Sequence, residues 1–212
     1  MSDQPDWEKL RENFSDVLAS DREEDTQSFL AKHQQLLLAA FGDIWTVNEC
    51  IPKFRFGTEF ISDFVIITGQ SCRYEVTLIE LEPPTAIPFT KQGKYARRLN
   101  DAMGQINDWL AWIHNNDSYF RSRISAAMQN EYGSKQISNP IVQSDLFVSC
   151  KIIIGRRSNM SREDDIRRTT LFRQAHRQLE IVPYDRLLDR AVPIDDKAAR
   201  RFGLPRNNDR LE

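Results

Sequence analysis

Apolar residues recur at helical spacing from Trp7 to about Leu18 and again from Glu23 to Phe41, the second time as Phe29, Leu30, Leu36, Leu37, Ala40 and Phe41. Two helices are therefore predicted to lead, with Gly42 ending the second. The pattern then shifts to short apolar runs, Ile44 to Ile51, Phe54 to Phe56, Phe60 to Thr68 and Tyr74 to Glu82, separated by Pro52, Gly57 and the turn Gly69-Gln70-Ser71. Breaks this short predict three or four neighbouring antiparallel strands. Beyond Pro83-Pro84, a long helix is predicted from about Tyr95 to His114, since Leu99, Ala102, Met103, Ile106, Leu110 and Ile113 keep one face apolar. Asp101, Gln105, Asp108 and Trp112 share another face. A further helix is expected over Asp117 to Met128, then a polar loop from Gly133 to Asp145 containing Pro140. Leu146 to Ile154 is almost continuously apolar and reads as a central strand. A charged helix from about Arg162 to Arg177, a strand from Leu179 to Pro183 and a short helix opened by Tyr184-Asp185-Arg186 follow. Strand, helix, strand in that order predicts a parallel pair with a right-handed crossover.

These elements predict an α/β fold with a central mixed sheet flanked by helices. Residues 1–22 read as a helical lead, 23–192 as the single domain, and 193–212 as a tail that frays beyond about Ala198. With 212 residues, 40% hydrophobic and 28% charged, the chain can bury a full-sized core. The net charge of −2 supplies no general basic field, so any nucleic-acid contact must come from a local patch. Cys50, Cys72 and Cys150 lie far apart, without metal-ligand spacing, and no signal peptide or long apolar segment is evident. Reduced, buried thiols in a cytoplasmic protein without a membrane segment are expected. His33, His114 and His176 are too scattered for a zinc site or a catalytic triad. No glycine-rich phosphate loop is present.

The chemistry concentrates in Thr77-Leu78-Ile79-Glu80-Leu81-Glu82-Pro83-Pro84. A strand sends alternate side chains to one face, so Glu80 and Glu82 are expected to point together while Ile79 and Leu81 enter the core. Asp63 interrupts the apolar run of the preceding strand. Hydrolysis of a phosphodiester needs an activated water, in-line attack and neutralisation of charge on phosphorus, all of which bound Mg²⁺ or Mn²⁺ supplies from hard oxygen ligands. Asp63 and Glu80, on neighbouring strands, are the expected ligands, with the Leu81 carbonyl a further one. The plainer reading is two charges capping a strand end. Trp109 and Trp112 read as core packing before base-stacking platforms, and Arg167-Arg168 as ion-pairing partners of Glu163, Asp164 and Asp165.

Helices, an antiparallel meander carrying Asp and Glu-x-Glu, a helix and then a buried strand resemble the PD-(D/E)xK nuclease core, the restriction-endonuclease-like fold. Glu80-Leu81-Glu82-Pro83-Pro84, Phe89-Thr90-Lys91-Gln92-Gly93, the run Ala102 to Ile113, Ile153-Ile154-Gly155-Arg156 and Pro183 to Leu188 together resemble the nuclease domain of the Shedu antiphage defence proteins. That resemblance implies a metal-dependent DNA endonuclease with Asp63, Glu80 and Glu82 at the metal and Gln105 beside it, working as a dimer or larger homo-oligomer. It also exposes a departure, because Glu82 stands where the superfamily usually places lysine. Glu82 is then a general base or a ligand of a second metal, and Lys91 is a candidate replacement for the lysine. Lys91, Lys94, Arg97 and Arg98 are candidate contacts to the DNA backbone, and Glu59 is a lower-ranked acid. Two other readings remain open: a catalytically inert relative that binds DNA or assembles with a partner protein, and a protein-binding role for the Trp-bearing helix and the Gly133 to Asp145 loop.

Overall fold

The structure, a computed structural model, describes residues 6–20, 22–42, 47–70, 73–132, 145–175 and 178–191. Three helices lead: α1 (Trp7–Val17), α2 (Glu23–Lys32) and α3 (Gln35–Phe41). The stretch predicted as one helix from Glu23 to Phe41 is two, because His33 leaves helical geometry at φ −128°, ψ 52° and the chain restarts at Gln34. Then come β1 (Val47–Phe56), β2 (Phe60–Gln70) and β3 (Arg73–Leu81), the long α4 (Arg97–Asn115), α5 (Asp117–Tyr132), β4 (Asp145–Ile153), α6 (Arg162–Gln174), β5 (Leu179–Val182) and α7 (Asp185–Arg190). Cys72, His176, most of the Gly133 to Asp145 segment and the tail from 192 onward lie outside the described residues.

One five-stranded sheet, ordered β1-β2-β3-β4-β5, organises the chain. β1, β2 and β3 form an antiparallel meander, while β4 pairs parallel with both β3 and β5. The sheet is mixed and helix-flanked, as predicted. Pro52 does not divide two strands as expected, because β1 is an edge strand, where a residue without an N–H can sit inside a strand.

Helices cover both faces. On one, Leu99, Ala102, Ile106 and Trp109 of α4 and Phe120, Ile124 and Met128 of α5 pack on Val65, Ile67, Val76 and Leu78. On the other, Leu10 and Phe14 of α1, Leu30 of α2, Leu36 and Leu37 of α3 and Leu187 of α7 pack on Phe64, Ile66, Ile79 and Leu81. Alternation along β2 and β3 feeds both cores, which is why these strands read as nearly continuous apolar runs. Trp109 is fully buried and Trp112 packs on Phe56 at 5.7 Å between ring centroids, so both are packing residues. Cys50 and Cys150 are free, buried thiols. Arg167 and Arg168 pair with Asp164 and Asp165 along α6.

Candidate active site

The meander delivers the acidic residues to one end of the sheet. In the β2–β3 ladder Phe64 stands opposite Ile79, and the next step of that register sets Asp63 opposite Glu80. Asp63 is 7% exposed, and its carboxylate is fully engaged. One oxygen accepts the backbone N–H of Leu81 at 2.8 Å; the other accepts the ammonium of Lys53 at 2.8 Å and the side-chain amide of Gln27. β1, β3 and α2 therefore meet on this one side chain.

Lys53 reaches Asp63 because the two face each other across the β1–β2 ladder, between the pairs Pro52–Phe64 and Phe54–Ser62. Its backbone sits at φ +48°, the one described residue other than glycine with positive φ. Such a conformation costs roughly 1–3 kcal/mol. The alternation of β1 breaks at this point: Cys50 packs into the α1–α3 core and Ile51 on the opposite one, yet Phe54 and Phe56 both join the core of Ile51.

Glu80 is half-buried, and its carboxyl is pushed up to about 9 by burial first, then by Asp63, Glu82 and Glu23, against a hydrogen bond from Gln105. At neutral pH it therefore keeps its proton. Glu82 is 7% exposed and pushed up to about 7, again by burial first, with Arg98 pulling the other way and Glu23, Asp101 and Asp63 adding to the rise. The Arg98 guanidinium stands 3.6 Å from Glu82 Oε2, a buried oxygen with no hydrogen-bond partner. The backbone of Glu82 is held from both sides, its N–H donating to the Ile153 carbonyl at 2.9 Å and its carbonyl accepting the buried Tyr184 hydroxyl at 2.8 Å.

Glu23, in the first turn of α2, completes the group, its carboxyl raised by burial and then by Asp63. Sequence reasoning missed it, along with Gln27 and Lys53. The spacing Glu23-x-x-x-Gln27 places an acid and an amide on one helix face, which was the available signal. In a helix otherwise read from its apolar stripe, that face looked solvent-exposed.

The remaining candidates are dispersed. Gln105 reaches Glu80 and also lines a groove of ≈ 680 Å³ with Glu59, Asp101 and Asp108. Arg98 turns to Glu82, while Arg97 pairs with Asp101 at 3.6 Å on the exposed face of α4. Lys91 and Lys94 are exposed in the loop before α4, Lys91 lining a cleft with Asn159, Ser161 and Arg167.

Among the described residues no three Asp, Glu, His or Cys side chains converge closely enough to chelate an ion as they stand. The donor set nevertheless suits a hard divalent cation: carboxyl groups from adjacent strands, two of them with strongly raised proton affinity, and one buried oxygen that makes no hydrogen bond.

Fold and site together define a mixed-sheet α/β domain with a carboxylate cluster at the ends of its antiparallel strands. Residues 20–188 match the family described as Shedu protein SduA, C-terminal, and the chain belongs to that family. Among solved structures it is similar to restriction endonuclease FokI bound to DNA, with 11% identity, a TM-score of 0.40, and coverage of 97% of this chain and 32% of that one. The chain thus spans about a third of that structure's length. None of the curated proteins matches it.

Proposed function

We propose that this chain is a Mg²⁺- or Mn²⁺-dependent DNA endonuclease domain of antiphage defence. The observation that carries the reading is the gathering of Asp63, Glu80 and Glu82 at one end of the sheet, where burial and neighbouring carboxylates push Glu80 up to about 9 and Glu82 up to about 7. Membership of the Shedu family supports it. Asp63, Glu80 and Glu82 are the residues that would hold the metal, which when bound supplies charge neutralisation at phosphorus and an acidified water.

The chain's own groups have separable tasks. Asp63, clamped by the Leu81 N–H, holds the end of β2 against β3. Glu80 would give up its proton where it holds the cation. Glu82 has one of two roles, a further ligand of the metal or the base that would accept a proton from the attacking water, and a carboxyl pushed up to about 7 suits the second. Gln105, bonded to Glu80, orients that carboxyl or a phosphate oxygen. DNA is the proposed substrate, and a dimer or larger homo-oligomer the proposed assembly, since cutting both strands of a duplex takes two sites. A cytoplasmic location is proposed along with the antiphage role; separately, no helix among the described residues is long and apolar enough to cross a membrane.

The second reading, an inert nuclease fold that binds DNA or a partner protein, is favoured by the acid at Glu82 in the usual lysine position. Nicking of supercoiled plasmid in Mg²⁺ or Mn²⁺ separates the two. The wild type is expected to nick, with Asp63→Ala and Glu80→Ala each at least about 100-fold slower. Equal conversion by all three proteins removes the enzyme reading.

A further inference from the structure

Lys53 is poorly explained as a structural residue. Its backbone occupies the left-handed region at φ +48°, and its side chain is more than half exposed in the pair with Asp63. A pair that exposed returns less stability than the backbone conformation costs. The strain is therefore not offset by folding and points to use at the site.

Two features say what use. First, Lys53 and the Gln27 amide share one oxygen of Asp63, and the other is taken by the Leu81 N–H, so a cation seeking Asp63 meets an ammonium already there. Second, Lys53 also lines a cleft of ≈ 300 Å³ between β1 and α5, together with Arg55, Arg123, Ala126 and Ala127. The cations of that cleft are Lys53, Arg55 and Arg123, and no carboxylate among the described residues lines it. Arg123 is held there by the Arg55 carbonyl at 3.3 Å, and Arg55 by the Thr58 carbonyl at 3.1 Å; among the described residues no carboxylate competes with an anion for either guanidinium. Lys53 is the residue common to the carboxylate site and the basic cleft.

We propose that Lys53 is an exchangeable counter-ion. In the metal-free protein it neutralises Asp63; when a divalent cation takes that carboxylate, the ammonium is released toward the cleft, where with Arg55 and Arg123 it holds a backbone phosphate of the bound strand. The inference rests on the metal-dependent reading above and gives this chain a lysine from β1 in place of the one that Glu82 displaces. Lys53 is thus a substrate-binding residue whose charge is available to phosphate only after metal has bound.

Mn²⁺ affinity measured by calorimetry on the protein without DNA tests the exchange. Lys53→Met removes the competing charge, and Lys53→Gly does so while accepting the positive φ, which guards against a misfolded variant. Both are expected to bind Mn²⁺ at least about threefold more tightly than wild type, with Lys53→Arg within about twofold. A merely structural lysine predicts the opposite, weaker binding in both. In the second arm a short DNA duplex is titrated against KCl in Ca²⁺; loss of one phosphate contact should reduce the slope of log affinity on log salt by about 0.9 in Lys53→Met and Lys53→Gly. Unchanged or weaker Mn²⁺ binding in both variants, or an unchanged salt slope, overturns the proposal while leaving the metal-dependent reading intact. A wild type that binds no Mn²⁺ overturns both.

Discussion

Glu80 shows how a single residue links site to stability. Its carboxyl titrates at about 9 in the fold against 4.5 ordinarily. Between those values the folded chain keeps a proton that the unfolded chain has released, so stability falls as pH rises from about 4.5 to about 9. Glu82, raised to about 7, adds to the same slope over the lower part of that window. Glu80→Gln keeps the shape and a hydrogen-bonding partner for Gln105 while deleting the charge. In metal-free buffer it is expected to melt higher than wild type at pH 8.5, by on the order of 5 °C, with the gap closing at about pH 5. Thermal melts at the two pH values check this, and a variant less stable than wild type at the higher pH would mean that Glu80 is not buried among like charges.

At the scale of elements, the β1–β2 hairpin must stay seated on α4 for Asp63 to meet Glu80. Gly57 in its turn has φ +68°, and a Cβ there would lie 2.7 Å from the ring of Trp112, which also packs against Phe56 and Phe60. Gly57→Ala is expected to cost roughly 2 kcal/mol, lowering the melting temperature by about 6 °C. Gly104, on the open face of α4, has no described atom beyond its chain neighbours and the adjoining helix backbone within 4 Å of where a Cβ would stand, so Gly104→Ala should instead gain roughly 0.5–1 kcal/mol in helix stability. Opposite shifts in paired melts are the expected result. The elements themselves were legible because each buries a periodic stripe: α4 keeps Leu99, Ala102, Ile106, Trp109 and Ile113 inward. What periodicity hid was local. Pro52 breaks most strands but not an edge strand, and the turn at His33 lies inside an apolar pattern that continues through it. Within the site, Asp63 and Glu80 stood out as charges inside apolar strands. Glu23, Gln27 and Lys53 did not, because a polar residue on a helix face or an edge strand signals only exposure until the packing of α2 and β1 against Asp63 is known.

For the molecule as a whole, the carboxylate end of the sheet is a place where folding crowds acidic groups together and makes them hold their protons. Burial, then Asp63, Glu82 and Glu23, oppose the ionisation of Glu80, while Lys53 faces Asp63 and Arg98 faces Glu82. A divalent cation that binds the folded chain and not the unfolded one must raise stability, by RT ln(1 + [L]/Kd). With millimolar affinity, about 10 mM Mg²⁺ or Mn²⁺ adds roughly 1.4 kcal/mol, a rise in melting temperature of about 4 °C for a domain of this size. Because Glu80 has to give up its proton to the cation, the rise is expected to grow as pH increases from about 6 toward about 9. This runs against the metal-free trend, in which the same rise in pH lowers stability, so the two contributions can be told apart in one set of melts. Asp63→Asn, which keeps a carbonyl oxygen for the Leu81 N–H but removes the charge, should abolish the metal-induced rise and leave a cooperative transition. A melting curve of the wild type that does not move with metal at any pH in that range would show that these carboxylates are held by Lys53, Gln27 and Arg98 as a structural network, and would direct attention to the inert reading of the fold.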